Sequence, residues 1–365
     1  MFHMLIGMAA GLSAVGNTDN IMERCALIDF DRYVEQAKSY GEWPGGHVDM
    51  SSGCVEGLSY RLYRHAAESE DAIVVYHGGG VNSAAGYDVL ARQLAAEPTL
   101  AVCLVDIRGH GDSTGERGTV ERPERIWRDV DVILAEMRRR FPLARRHLLG
   151  HSSGAGMLLN YLTRYPGEQQ ADSLIMLAPE LGPFSGMARD LAGTARFAQV
   201  RQWPFVANAL SGGRWFGHVR AVSLNFPPAV LAAAPDFVCQ YSVNMANALT
   251  PRAPARQLAA LRLPTLLLAA AQDELFNAQA MQRFVKQHGN AQIAFGLLEG
   301  STHLSCIFDA HRLVLQHISR ATATGSDEGP AGEGLNVGAG RPLLAWRFPL
   351  SSYIPAWRLT AMLNK

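Results

Sequence analysis

The chain has 365 residues with 33 basic and 33 acidic side chains, so its formal charge is zero, and only 18% of it is charged. This excludes a nucleic-acid binder that works by neutralising phosphates, which needs a basic excess or a clustered basic face. With 48% apolar residues the chain can bury a large core, which excludes global disorder.

Residues 1–47 precede the first strand signal and form an N-terminal extension. Within it, Met4 to Gly16 is apolar with small residues after it, like the middle of a signal peptide, but the first basic residue is Arg24. A secretory signal wants a positive leader, so the expectation is a cytoplasmic protein, with export as the lesser alternative. No uninterrupted apolar run reaches the roughly 18 residues of a membrane-spanning helix. Cys25, Cys54, Cys103, Cys239 and Cys306 are odd in number and contain no Cys-x-x-Cys pair. They read as buried free thiols of a reducing compartment, not as a disulfide framework or zinc cage.

From residue 48 onward, short β-branched apolar runs alternate with helical patterns, the signature of an α/β sheet with helices on both faces. His47 to Ser52 and Leu58 to His65, separated by Gly53 and Gly57, suit an opening antiparallel hairpin. Six further strands are predicted at Ala72 to Tyr76, Leu100 to Ile107, His147 to Gly150, Ser173 to Leu177, Pro264 to Ala270 and Ala291 to Leu298. The later runs are apolar nearly throughout, as in parallel strands buried on both faces. Helices are predicted at Ala84 to Ala96, Arg122 to Phe141, Gly154 to Tyr165, Asn277 to His288 and Cys306 to Arg320.

The first chemical signal is Val75-Tyr76-His77-Gly78-Gly79-Gly80 at a strand end. Glycines there let backbone N–H groups point into a cavity, as stabilisation of a developing oxyanion demands. Gly79, with Gly78 beside it, is the candidate donor. Next comes Val105-Asp106-Ile107-Arg108-Gly109-His110-Gly111-Asp112-Ser113. The sharpest signal is Gly150-His151-Ser152-Ser153-Gly154, where a strand meets a helix. A serine nucleophile needs its hydroxyl held clear at a strained turn, and flanking glycines permit that turn. Ser152 fits the register; Ser153 does not, because His151 stands two residues before it. Ser153 would supply the second oxyanion N–H, and His151 is a packing or acyl-pocket residue.

These three motifs, in this order and spacing, resemble the α/β-hydrolase fold family, most closely its monoacylglycerol lipase and lysophospholipase branch. The resemblance covers residues 48–320 and implies an eight-stranded, mostly parallel sheet flanked by helices, with an inserted helical cap. It makes residues 48–178 and 263–320 the core. Residues 179–262, which carry Phe184, Phe197, Trp203, Phe205, Trp215, Phe216, Phe226, Phe237 and Tyr241, become the cap, a segment too long for a plain connection. It also makes the Arg-Gly-His-Gly loop mainly architectural, with His110 fixing the loop.

In that family the triad follows the chain order Ser, acid, His. The resemblance places the acid at Asp273, after the strand Pro264 to Ala270, with Glu274 and Glu180 as competitors. Leu298-Glu299-Gly300-Ser301-Thr302-His303 matches the loop that delivers the base. Of 12 histidines, only His303 lies after both the serine and the candidate acid on a loop just past a strand.

The implied protein is a serine hydrolase that cleaves a carboxylic ester or thioester with an apolar acyl group, and it needs no metal or organic cofactor. An acyltransferase or thioesterase of a biosynthetic pathway, and a non-catalytic binding protein of the same fold, are the alternatives. Residues 321–341, with six glycines and no periodicity, read as a linker. Residues 342–365 carry Trp346, Phe348, Tyr353 and Trp357. This aromatic tail is expected to fold back on the body or contact a protein partner. Membrane attachment is less expected, because only Arg347, Arg358 and Lys365 give it a basic face.

Overall fold

The computed structural model describes residues 28–40, 48–65, 68–165, 170–189 and 196–325. The apolar stretch Met4 to Gly16, residues 326–341 of the expected linker and the aromatic tail lie outside them.

Among the described residues the first element is helix α1 (Phe30–Ser39), which the sequence reading missed. Strands β1 (Asp49–Val55) and β2 (Leu58–Arg64) follow as an antiparallel hairpin. Its two-residue turn is Glu56-Gly57, both at positive φ (47° and 78°), which matches the twist of the flanking strands. The expected boundary at Gly53 is therefore wrong. Gly53 lies inside β1 opposite Tyr60, whose ring occupies the space of a Cβ.

The alternation then runs β3 (Asp71–Tyr76), α2 (Tyr87–Ala95), β4 (Leu100–Val105), α3 (Pro123–Arg140), β5 (Arg145–His151), α4 (Ser153–Arg164) and β6 (Ser173–Leu177). After an insertion come β10 (Thr265–Ala270), α9 (Ala278–His288), β11 (Ile293–Leu298), α10 (Cys306–Asp309) and α11 (His311–Gly325). The eight strands form one sheet in the order β1-β2-β4-β3-β5-β6-β10-β11. β1, β2 and β4 pair antiparallel, and every pairing from β4 through β11 is parallel.

Each face of the sheet has its own core, which is why β3, β4, β6 and β10 are buried at every position and almost wholly apolar, whereas the edge strands β1 and β11 are partly exposed. Val74, Cys103, Leu148 and Met176 face one layer, covered by Ile126, Val130 and Leu134 of α3 and Leu158 and Leu162 of α4. Ile73, Val102, Leu149 and Ile175 face the other, covered by Leu90 and Leu94 of α2 and Val314 and Ile318 of α11. The predicted helix Cys306 to Arg320 is broken at Ala310, and its second part continues to Gly325, so residues 321–325 of the expected linker are helical.

The insertion carries β7 (Ala198–Val200), α5 (Gln202–Leu210), β8 (Arg220–Leu224), α6 (Pro228–Ala233), β9 (Gln240–Ser242), α7 (Val243–Leu249) and α8 (Pro254–Ala260). It is helical as expected, and in addition β7, β8 and β9 form an antiparallel sheet. Among the described residues no helix is long and apolar enough to cross a membrane. Because the parallel strands share one direction, the loops after β3, β5, β10 and β11 leave the same edge of the sheet, the place where open α/β sheets build their sites.

Candidate active site

The turn from β5 into α4 places Ser152 at φ 52° and ψ −118°, with no capping bond from its side chain. A non-glycine residue held there is strained, so the surroundings must impose the conformation. They do so through close contact. A Cβ on Gly150 would stand 2.5 Å from the backbone of Gly154 and Ala155, and one on Gly154 would stand 2.6 Å from His77 O. Glycine at both positions lets the elbow close against β3.

Three loops converge on this turn. His303, on the loop after β11, brings its Nε2 to 3.0 Å from Ser152 Oγ. Its Nδ1–H donates to Asp273 Oδ2 at 2.9 Å. Asp273 follows β10, and its Oδ1 accepts from the N–H groups of Leu275 (2.8 Å) and Phe276 (2.9 Å). Ser152, Asp273 and His303 are 7%, 2% and 3% exposed, so the chain of hydrogen bonds runs in a nearly water-free setting. Burial pulls the His303 pKa down, but the charge and hydrogen bond of Asp273, with Glu274 nearby, outweigh it and raise the imidazole above its ordinary 6.5.

The competing carboxylates are placed otherwise. Glu180 Oε1 accepts from Gly182 N–H at 2.7 Å, and no hydrogen bond among the described residues joins it to His303. Burial raises its pKa to about 7. Glu274 does not meet the imidazole ring; its Oε2 accepts the backbone N–H of His303 at 2.8 Å and so holds the histidine's loop.

The N–H groups of Gly79 and Ser153 have no acceptor among the described residues, and the two residues face one another: a Cβ on Gly79 would stand 2.8 Å from Ser153 Oγ. Gly78 is different, and its expected place in an oxyanion site is corrected. Its N–H is taken by Tyr87 Oη at 2.8 Å and its carbonyl by His77 Nδ1 at 2.8 Å. For His151, read as a packing or acyl-pocket residue, the contacts are those of packing. It is 1% exposed and both ring nitrogens are engaged, Nε2–H donating to His303 O (3.0 Å) and Nδ1 accepting from Tyr87 Oη–H (2.7 Å). Burial, with His303 alongside, lowers its pKa well below 6.5 and keeps it neutral. Gly78, Tyr87, His151 and His303 thus form one relay of hydrogen bonds behind the site.

The cap reaches the same loop. Tyr241 Oη accepts from Gly80 N–H at 2.5 Å and donates to His110 Nε2 at 2.8 Å, while His110 Nδ1–H faces Arg108 O at 3.2 Å. Val238 N–H donates to Gly80 O at 2.7 Å. Burial and the neighbouring His77 lower His110 to about 3, so it stays a neutral acceptor for Tyr241. Above Gly80, the Phe226 ring packs against Phe197 (5.2 Å) and Phe237 (5.4 Å). The cap aromatics therefore divide: these roof the glycine loop, while Phe184, Trp203, Trp215 and Phe216 face outward.

Comparison with known proteins identifies the family. The sequence pattern of the family described as serine aminopeptidase, S33, matches residues 67–307. The chain belongs to this family. Among curated relatives, this hydrolase is 24% identical over 273 residues to the monoacylglycerol lipase of Mycolicibacterium smegmatis, covering 72% of this chain and 91% of the relative. It is 25% identical over 283 residues to the monoglyceride lipase of Rattus norvegicus, covering 75% and 87%. A soluble variant of monoglyceride lipase from Saccharomyces cerevisiae, solved with a substrate analogue, superposes with a TM-score of 0.54 at 14% identity, covering 76% of this chain and 97% of that one. The protein is a lipase/esterase-type α/β-hydrolase of the monoacylglycerol-lipase-like branch.

Sequence reasoning missed Tyr87, Tyr241 and the role of Glu274. For Glu274 a signal existed, as a carboxylate beside the candidate acid; Tyr87 and Tyr241 carry no local pattern. Replacing Tyr241 by phenylalanine leaves Gly80 N–H and His110 Nε2 buried without partners, each costing about 1–3 kcal/mol. The expected result is a lower denaturation midpoint in urea with an unchanged m-value, together with a fall in kcat as the glycine loop loses its clamp.

Proposed function

We propose that the hydrolase cleaves carboxylic esters with an apolar acyl group through a Ser152–His303–Asp273 triad and an acyl-enzyme. The observation that carries this reading is the buried, continuous chain Asp273 Oδ2–His303–Ser152 Oγ beside two unengaged backbone donors. His303 Nε2 takes the proton of Ser152 as Oγ attacks the carbonyl, and Asp273 stabilises the imidazolium that forms. The N–H groups of Gly79 and Ser153 receive the oxyanion. His303 then returns the proton to the leaving alcohol, and a water, activated the same way, releases the acid.

The apolar roof of Phe226, Phe197 and Phe237 supports an uncharged acyl chain, and the curated lipase relatives support a glyceride-like ester. The proposed organisation is one catalytic core, residues 48–178 and 263–320, with residues 179–262 as its cap. Among the described residues Cys103 and Cys306 are buried free thiols as expected, whereas Cys54 is exposed and Cys239 half-buried; that all four are unpaired supports a reducing compartment and hence the cytoplasm.

The test is a panel of p-nitrophenyl esters of graded chain length, a monoacylglycerol, a matched acyl thioester and an amino-acid p-nitroanilide. Ester turnover that rises with acyl length is expected. Preference for the thioester would favour the transferase or thioesterase reading, and preference for the anilide would overturn ester specificity. The pH profile gives a second expectation. His303 must be unprotonated to act as base, and its pKa lies above 6.5, so kcat/KM falls as pH drops through a midpoint above 6.5.

A further inference from the structure

Helix α1 lies outside the residues matched by the family, yet it touches three of the four loops that build the site, those after β3, β10 and β11. Asp29, its N-cap, donates its backbone N–H to Glu274 Oε1 at 3.4 Å, and the other oxygen of that carboxylate holds His303 N–H at 2.8 Å. Arg32 splits its guanidinium between the loops of the acid and the base, Nη1 to Gln272 Oε1 at 3.2 Å and Nη2 to Gly300 O at 3.3 Å. Tyr33 Oη–H donates to Ala85 O at 2.7 Å, just before Tyr87, and its ring stacks on Phe308 at 5.0 Å, beyond the histidine's loop. Phe30 meets Phe226 of the cap at 6.1 Å.

One core position is shaped to receive this helix. Gly86 has φ 81°, and a Cβ there would stand 1.9 Å from Tyr33 Oη. A side chain at 86 would displace the Tyr33 hydroxyl from its bond to Ala85 O.

We propose that α1 is a strap that positions the acid and base loops relative to one another, with Arg32 and Glu274 as its positioning residues. This rests on the Ser152–His303–Asp273 reading. The physical reason is geometric. Asp273 and His303 sit on separate loops after β10 and β11, so their 2.9 Å contact depends on how those loops are held. Small misplacements of reacting groups are costly in rate. Arg32 spans both loops with a fork that a lysine cannot reproduce.

The test uses the full chain carrying Arg32→Ala, Arg32→Lys or Glu35→Ala, the last altering an exposed residue on the same helix, alongside Ser152→Ala. Kinetics on a p-nitrophenyl ester, the rate of fluorophosphonate labelling and the melting temperature are measured. Arg32→Ala is expected to lower kcat and the labelling rate by about 3- to 10-fold with KM and melting temperature unchanged. Arg32→Lys keeps the charge and should stay nearer to Arg32→Ala than to wild type; Glu35→Ala should match wild type. Wild-type kcat in Arg32→Ala, full recovery in Arg32→Lys, or a loss shared by Glu35→Ala would overturn the strap. If Ser152→Ala retained turnover, the underlying triad reading would fail instead.

Discussion

Ser152→Ala is expected to reduce kcat on esters by about 10⁶-fold while leaving the fold intact. The fold should survive because the Ser152 side chain caps no helix and its conformation is imposed by the backbone contacts of Gly150 and Gly154. Activity should not, because the hydroxyl that meets His303 Nε2 is removed. The residual rate should still exceed the uncatalysed reaction by about 10³-fold, since the donors of Gly79 and Ser153 remain. Comparison of kcat for wild type and variant, with matching circular dichroism, checks both halves.

Asp273→Asn is the second large effect, with an expected fall in kcat of about 10⁴-fold. The amide can present an N–H to His303 Nδ1, which favours the tautomer with its proton on Nε2, unable to accept from Ser152. The same change should leave KM nearly constant, because Asp273 faces the imidazole and the backbone of Leu275 and Phe276. Glu180→Gln is the informative companion. Glu180 is bonded to Gly182, so its variant should keep kcat near wild type; a collapse there with an active Asp273→Asn would reverse the assignment of the acid.

Much of this was legible in the sequence because it rests on local patterns. Buried parallel strands announce themselves as apolar runs, and Gly150 and Gly154 flank a serine at a strand-to-helix turn because backbone contacts of 2.5–2.6 Å admit no side chain. His303 was singled out by its position just past a strand together with the chain order that the family resemblance implies, and it is the histidine whose Nε2 lies 3.0 Å from Ser152 Oγ. The hairpin boundary was misread because Gly53 resembles a turn glycine but makes room for the ring of Tyr60.

What remained hidden depends on contacts between residues distant in sequence. Tyr241 meets His110 across 131 positions and Tyr87 meets His151 across 64, and neither tyrosine differs locally from any core tyrosine. Gly78 and Gly79 are indistinguishable in the run His77-Gly78-Gly79-Gly80; only the Tyr87 hydroxyl on Gly78 N–H separates them. Helix α1 has an Asp29 cap and buries Tyr33 and Ala37 at helical spacing, but so short an apolar stripe falls below what periodicity resolves.

The central claim is that Ser152 is the nucleophile. Its most direct test is peptide mass spectrometry after reaction of the full chain with a fluorophosphonate. A single adduct on Ser152, absent in Ser152→Ala and formed far more slowly in His303→Ala, is the expected result. An adduct on a different residue, or undiminished labelling of Ser152→Ala, would contradict it.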